Sequence, residues 1–98
     1  MLETFTCATF DPHLGERFRL EVEAGSTIDV VLTEARVWGA SPDPGGRDPF
    51  TVVFQGPPET VLPQRTYRLE HAAIGAFEIF LVPIGRDERG VSYEAVFT

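Results

Sequence analysis

The feature that most constrains the fold is a series of short, alternating apolar segments in the second half of the chain. Residues 67–71, 77–82 and 91–97 are rich in β-branched and aromatic side chains, and glycine-containing turns separate them. Such segments are typical of β-strands joined by tight turns. The pattern therefore predicts architecture, and it carries no catalytic signature of its own.

The first half of the chain continues the pattern. Residues 17–23 alternate between apolar and charged side chains, and residues 27–37 and 50–55 form two further strands. The alternation changes phase near Thr33 and Glu34, which predicts a β-bulge there. We expect Pro83 to end the fifth strand, and Val61 and Leu62 to tuck under the sheet.

A short helix is predicted to begin near Cys7, capped by Thr4 or Thr6, and to end at Pro12. It would close an open end of the sheet. Six strands with turns between them predict an all-β fold: a small, mainly antiparallel barrel or sandwich with this short N-terminal helix. At 98 residues, the chain is expected to form one domain spanning residues 1–98.

The composition excludes several classes of partner. A formal net charge of −7 repels nucleic-acid phosphates and anionic lipid headgroups, so neither nucleic acid nor membrane is an expected partner. The sequence shows neither a signal peptide nor an apolar run long enough for a membrane helix, so the expected location is the cytoplasm. All eight basic residues are arginine, which favours a GC-rich bacterial genome.

No arrangement of residues predicts catalysis, a metal site or a bound cofactor. His13, His71 and Cys7 are the available nitrogen and sulfur ligands, and their spacing matches no metal motif. We expect the histidines to lie at the surface near turns, and Cys7 to act as a small apolar residue rather than a nucleophile. The serines lack a neighbouring histidine, and the strand carboxylates suit a solvated face.

Trp38 stands between the long second strand and a loop, residues 39–49, that is rich in proline and glycine. Tryptophan is common both in interface hot spots and in protein cores, and we favour a core ring here. The loop is expected to pack little and to be dispensable for folding.

The fifth strand carries apolar residues on both faces, with Phe80 and Val82 opposite Phe77, Ile79 and Leu81. It is expected to be buried on both faces, or to be covered on one face by the connector or by another subunit. Candidate interaction residues are therefore Trp38, Phe80 and Val82. We expect a non-enzymatic assembly or protein-binding module, with a protein partner or a second copy.

A different class of function remains open: a small-ligand-binding β-barrel. Its eight phenylalanines could line a cavity, and Arg17, Arg19 or Arg68 could hold an anionic group at its mouth. Against this, barrels with few strands fill their interior with side chains.

The chain resembles a bacterial family of small proteins described only as a domain of unknown function. The resemblance rests on His13-Leu-Gly-Glu-Arg-Phe18, Phe54-Gln-Gly-Pro57, Leu62-Pro-Gln64, Tyr67-Arg-Leu-Glu-His71, Leu81-Val-Pro-Ile-Gly85 and Tyr93-Glu-Ala-Val-Phe97. These motifs span nearly the whole chain, and residues 38–49 depart from them. The resemblance implies no catalytic residue. It implies a link to phage-tail-collar-like proteins, whose genes lie near those of the family.

Overall fold

The computed structural model describes residues 4–98, and six antiparallel strands in it close into a barrel. The elements are α1 (Cys7–Phe10), a 3₁₀ helix (Asp11–His13), β1 (Arg17–Glu23), β2 (Ser26–Val37), β3 (Phe50–Gly56), β4 (Arg65–His71), β5 (Gly75–Asp87) and β6 (Gly90–Phe97). The strand order around the barrel is β1-β2-β3-β6-β5-β4. The predicted six-stranded all-β fold is confirmed, and the barrel is the form that it takes.

Alternation along each strand decides which side chains enter the barrel. On β1, Phe18 and Leu20 are buried while Arg17 and Arg19 point to solvent. β3 is an exception, because all of its residues except Gln55 are buried. Its neighbours β2 and β6 pair with both of its edges through residues 50–55.

In the two longest strands, the pairings with the two neighbouring strands lie in successive parts of the strand. β2 pairs with β1 through its first half and with β3 through its second. Its register shifts between Leu32 and Glu34, which confirms the predicted bulge. β5 likewise pairs with β4 up to Leu81 and with β6 from Val82 onward. Both strands also contain a register shift, and such a bulge adds local bend and twist.

The prediction that Pro83 ends the fifth strand is wrong, because β5 continues to Asp87. Pro83 lies opposite Tyr93, next to a register shift between Pro83 and Gly85. A proline has no amide hydrogen to donate to the ladder, and sheets tolerate it at bulges and edges. The bulge supplies such a position, so the strand bends at Pro83 instead of ending.

The connector between β3 and β4 follows the prediction only in part. Leu62 is buried, and its N–H donates to the Tyr93 hydroxyl (2.9 Å). Val61 is exposed, so its predicted place beneath the sheet is wrong. Consecutive residues of an extended segment point in opposite directions, and only one of the two can face the core.

The N-terminal helix closes one end of the barrel, as predicted. The Thr6 N–H donates to Thr9 Oγ1 (2.9 Å) at its start, and the α-helix ends at Phe10, before Pro12. The 3₁₀ helix then carries the chain through Pro12. None of the helices described here is long and apolar enough to cross a membrane.

Phe10 is the centre of an aromatic cluster at this end. Its side chain is 0% exposed, and its ring lies 5.6–6.5 Å, centroid to centroid, from five others: Phe5, Phe18, Phe50, Phe77 and Phe97. The rings come from the N-terminal segment and from β1, β3, β5 and β6. One side chain on α1 therefore joins strands on both sides of the barrel.

Replacing Phe10 with alanine removes this central ring. We expect a loss of about 3–5 kcal/mol in unfolding free energy, the usual cost of truncating a buried aromatic side chain. Leu14→Ala is the control, because Leu14 is exposed and its truncation should cost no more than about 0.5 kcal/mol. Urea denaturation followed by circular dichroism measures both. Equal losses in the two variants would contradict the central role of Phe10.

Candidate functional site

Trp38 directly follows β2 and is half exposed, so the prediction of a core ring is wrong. Its main-chain N–H donates to the main-chain carbonyl of Pro49 (3.1 Å), which joins the two ends of the long loop. Its side chain, 50% exposed, lines an open cleft of about 550 Å³ together with Pro42, Arg47 and Pro49. The indole therefore lies beside the loop that follows it and outside the barrel interior.

Phe80 and Val82 point away from the barrel interior on β5. Phe80 is 51% exposed, so neither the barrel nor the connector buries this face of β5, and burial of both faces within the chain is wrong. Cover by another subunit, the remaining alternative, stays a prediction. With Val96 of β6, which is 55% exposed, they line an open cleft of about 480 Å³. Arg47 and Thr98 line this cleft and the Trp38 cleft alike, so the two adjoin. The three predicted interaction residues therefore border one region, and we call Trp38, Phe80, Val82 and Val96 the outer patch.

Arg47 stands between the two clefts, and the sequence analysis missed its role. Its guanidinium donates from Nη1 to the Phe5 carbonyl (2.9 Å), and from Nε and Nη2 to the main-chain oxygen of Thr98 (3.3 and 3.1 Å). It also lies over the rings of Phe97 and Phe50, 5.3 and 5.8 Å from their centroids. Arginine suits this place because it combines several donors with a flat face that stacks on aromatic rings.

The loop around Arg47 contains further hydrogen bonds of its own. The Ser41 N–H donates to Asp48 Oδ1 (2.9 Å), and the Ser41 hydroxyl donates to the Asp43 carbonyl (2.9 Å). Together with Arg47, these bonds hold the loop against the barrel end. The loop thus makes more contacts than its proline and glycine content predicted. The sequence feature that could have indicated them is Arg47, the single arginine in this segment.

Two histidines and one carboxylate meet elsewhere on the barrel, and the sequence analysis did not bring them together. Glu16 Oε1 lies 2.9 Å from His13 Nδ1 and 2.7 Å from His71 Nε2. His13 ends the 3₁₀ helix, Glu16 immediately precedes β1, and His71 ends β4. We call these three residues the clasp. Its members are spread over much of the chain, so no local spacing could have revealed it.

His71 is buried against aromatic rings, in contrast to the predicted surface position. Its side chain is only 6% exposed, and the rings of Phe18 and His13 each lie 4.5 Å away, centroid to centroid. Its Nδ1 accepts hydrogen bonds from the N–H groups of Ala73 (3.0 Å) and Ile74 (3.3 Å). A nitrogen that accepts has no hydrogen, so the neutral ring carries its hydrogen on Nε2 and donates it to Glu16.

The clasp has the donor types of a metal site without the matching hydrogen bonds. Its three candidate ligand atoms lie within 4.8 Å of one another, and two imidazoles with one carboxylate suit zinc. A metal-bound histidine, however, donates a hydrogen from its other ring nitrogen to an acceptor. The other nitrogen of His71 faces two N–H donors. The geometry is therefore that of a carboxylate held by two imidazole donors.

The hydrogen bonds of the clasp stabilise the charged form of Glu16. The bond from His13, followed by the bond from His71, holds the pKa of the Glu16 carboxyl below its usual value.

A third open cleft, of about 450 Å³, adjoins the clasp and is lined by Arg17, Arg19, Asp29, Glu70 and His71 among others. Arg68, also considered as an anion ligand, instead pairs with Glu70 (3.8 Å).

Cys7 lies on α1 and is partly buried. Burial, and to a lesser extent the charge of Asp11, raises the pKa of its thiol. The thiolate is the reactive form of cysteine, so this environment disfavours nucleophilic chemistry at neutral pH.

Arg47→Met removes the hydrogen bonds that tie the loop to the barrel end while keeping a long apolar side chain. We expect a loss of about 1–3 kcal/mol in unfolding free energy, the range for hydrogen bonds to a charged group. The control is Arg86→Met, since Arg86 is exposed on the last part of β5 and should change stability by no more than about 0.5 kcal/mol. Thermal and urea melts of both variants measure the difference. An unfolding free energy of Arg47→Met equal to that of the wild type would instead support the prediction that the loop is dispensable for folding.

The lowered pKa of Glu16 predicts how stability responds to acid. A carboxyl whose pKa falls on folding stabilises the native state above its unfolded pKa, near the ordinary value of 4.5, and this contribution disappears as the pH falls through the folded pKa. Glu16→Gln should therefore be less stable than the wild type at pH 7, and the gap should close below about pH 4.5. Urea denaturation of both proteins from pH 3 to 7 tests this. A gap that is constant with pH would refute the assignment.

Comparisons with known proteins assign the chain to a family. No match was found among curated proteins or among solved structures. The family described as a domain of unknown function, DUF6916, matches residues 5–97, which include the whole barrel, the clasp and the outer patch. Because this match covers nearly the entire sequence, the chain belongs to the DUF6916 family.

Proposed function

We propose that the chain is a non-enzymatic assembly or protein-binding module whose partner contacts the outer patch. The observation that carries this proposal is the position of Trp38, Phe80 and Val96, each at least half exposed, around two clefts that adjoin at Arg47. Large apolar side chains gathered at one place on a surface mark interaction sites more often than single exposed ones do.

The residues of the outer patch are of the types that dominate protein interfaces. Tryptophan, phenylalanine and arginine are enriched at the centres of interfaces, where an aromatic ring contributes a large contact area. Arg47 is already held by main-chain oxygens and aromatic rings, so it forms a fixed floor between the clefts. A surface that is ordered before binding loses little conformational entropy when a partner arrives.

The proposed partner is a protein, either a second copy of this chain or another polypeptide. The net charge of −7 argues against nucleic acid and against anionic membranes. The resemblance drawn from the sequence motifs adds phage-tail-collar-like proteins as a class of partner. The proposed location is the cytoplasm.

The alternative of a ligand inside the barrel receives less support. Phenylalanine rings fill the closed end at centroid distances of 4.4–6.5 Å, and Leu20, Val30, Leu32 and Leu69 are fully buried. Small barrels use such side chains to fill their interior. A small anionic ligand would have to bind in the open cleft beside Arg17 and Arg19, outside the barrel.

Phe80→Asp and Trp38→Ala test the outer patch. Each variant should fold with nearly wild-type stability, because neither side chain lies in the core. Association should weaken by about 2 kcal/mol, as it does when a central interface residue is truncated. Val61→Asp is the matched control, because Val61 is also exposed but does not line either cleft.

Light scattering over a concentration series measures self-association. Affinity capture with the wild type and the three variants measures binding to another protein. The proposal expects a complex that the wild type and Val61→Asp form and that Phe80→Asp loses. A strict monomer whose captured proteins are the same for all variants would refute it.

A further inference from the structure

We infer that the clasp is a pH-operated latch, in which protonation of His71 releases the turn between β4 and β5. The inference rests on hydrogen-bond geometry at one buried ring. It is separate from the proposed function, because the cleft beside the clasp shares no lining residue with the two clefts of the outer patch.

The turn is held closed by the lone pair of His71 Nδ1. This atom accepts from the N–H groups of Ala73 and Ile74, at 3.0 and 3.3 Å. Ile74 is partly buried and packs against the core, and Gly75 begins β5 with a φ of 93°, which favours glycine. The imidazole therefore organises the turn as an asparagine side chain does in an Asx-turn.

Protonation of His71 removes this support. A second ring hydrogen would sit on Nδ1 and point at two N–H donors, so both hydrogen bonds would be lost and like partial charges would face each other. The bond from Nε2 to Glu16 would remain. The ring can hold the extra proton only if the turn moves away from Nδ1.

His13 has a different hydrogen-bond arrangement, although its ring lies only 4.5 Å from that of His71, centroid to centroid. His13 already donates from Nδ1 to Glu16, and no bond is recorded at its Nε2 among residues 4–98. It can therefore take a proton on Nε2 with the clasp intact. His71 is the member whose charge state is coupled to the shape of the turn.

The remaining charges around His71 largely offset one another. The groups that face it or share its cleft are Glu16, His13, Arg17, Arg19, Asp29 and Glu70. Apart from the clasp, they comprise two cations and two carboxylates, so their formal charges cancel. The local hydrogen bonds at Nδ1 then decide how protonation affects the turn.

The direction of the pH dependence follows from proton linkage. The closed turn excludes a proton from His71, whereas the open turn admits one, so acid favours the open form. The turn should therefore be closed where His71 is neutral, and its open population should rise by up to about tenfold for each unit by which the pH falls as the ring takes up its second proton.

Nuclear magnetic resonance of the full wild-type chain tests the latch directly. The ¹⁵N shifts of the His71 ring should report the Nε2–H form at pH 8. Hydrogen exchange of the Ala73 and Ile74 amides, corrected for its intrinsic pH dependence, should lose up to about tenfold protection per pH unit over the range in which the His71 ring resonances show proton uptake. Protonation of His71 with undiminished protection of these amides would overturn the inference.

Two variants isolate the histidine responsible. His71→Asn keeps a side-chain acceptor for the turn but cannot titrate, so its amide protection should be independent of pH in this range. His13→Gln keeps His71 and should retain the pH-dependent opening. If His71→Asn shows the wild-type profile, or if stoichiometric zinc moves the His71 hydrogen to Nδ1, the latch is refuted.

Discussion

The packing of Phe10 among five other phenylalanine rings is the contact on which the rest of the structure depends. Phe10 lies on a helix of four residues, too short to be stable by itself in water. The ring contacts hold that helix in the barrel end, where the rings of Phe50 and Phe97 also stack at 4.4 Å. Arg47 then covers these two rings, and in doing so it fixes the loop beside the outer patch.

A second constraint is the small number of strands. Six strands close into the barrel, and in β2 and β5 the paired neighbour changes along the length of the strand. The exchange in β5 falls between Leu81 and Val82, next to Pro83. Phe80 and Val82 therefore flank the point where one neighbouring strand gives way to another, and a cleft lies beside them. The geometry of closure thus places the outer patch.

The clasp and the outer patch lie in separate regions of the barrel, and they differ in the type of side chain that they contain. The outer patch presents exposed apolar side chains around a fixed arginine, which suits contact with a protein. The clasp encloses a titratable ring whose hydrogen bonds depend on its protonation state. The turn at His71 and the proposed binding surface border clefts that share no lining residue.

The sequence alone determined the six strands, apart from the end of the fifth, the bulge after Leu32 and the short helix before Pro12. Periodicity and turn residues are local properties of the chain, so they can be read without the tertiary structure. It also indicated Phe80 and Val82 as candidate interaction residues, because they are apolar although they lie on the strand face opposite the core residues. Only the tertiary structure decided that Trp38 lies outside the core.

The tertiary structure likewise brought His13, Glu16 and His71 together and seated Arg47 on two aromatic rings. It also carried β5 through Pro83, because a bulge there accommodates a residue that has no amide hydrogen. Periodicity tells which neighbouring residues share a face of one strand. It does not tell which residues from distant segments meet once the barrel closes, and the clasp consists of such contacts.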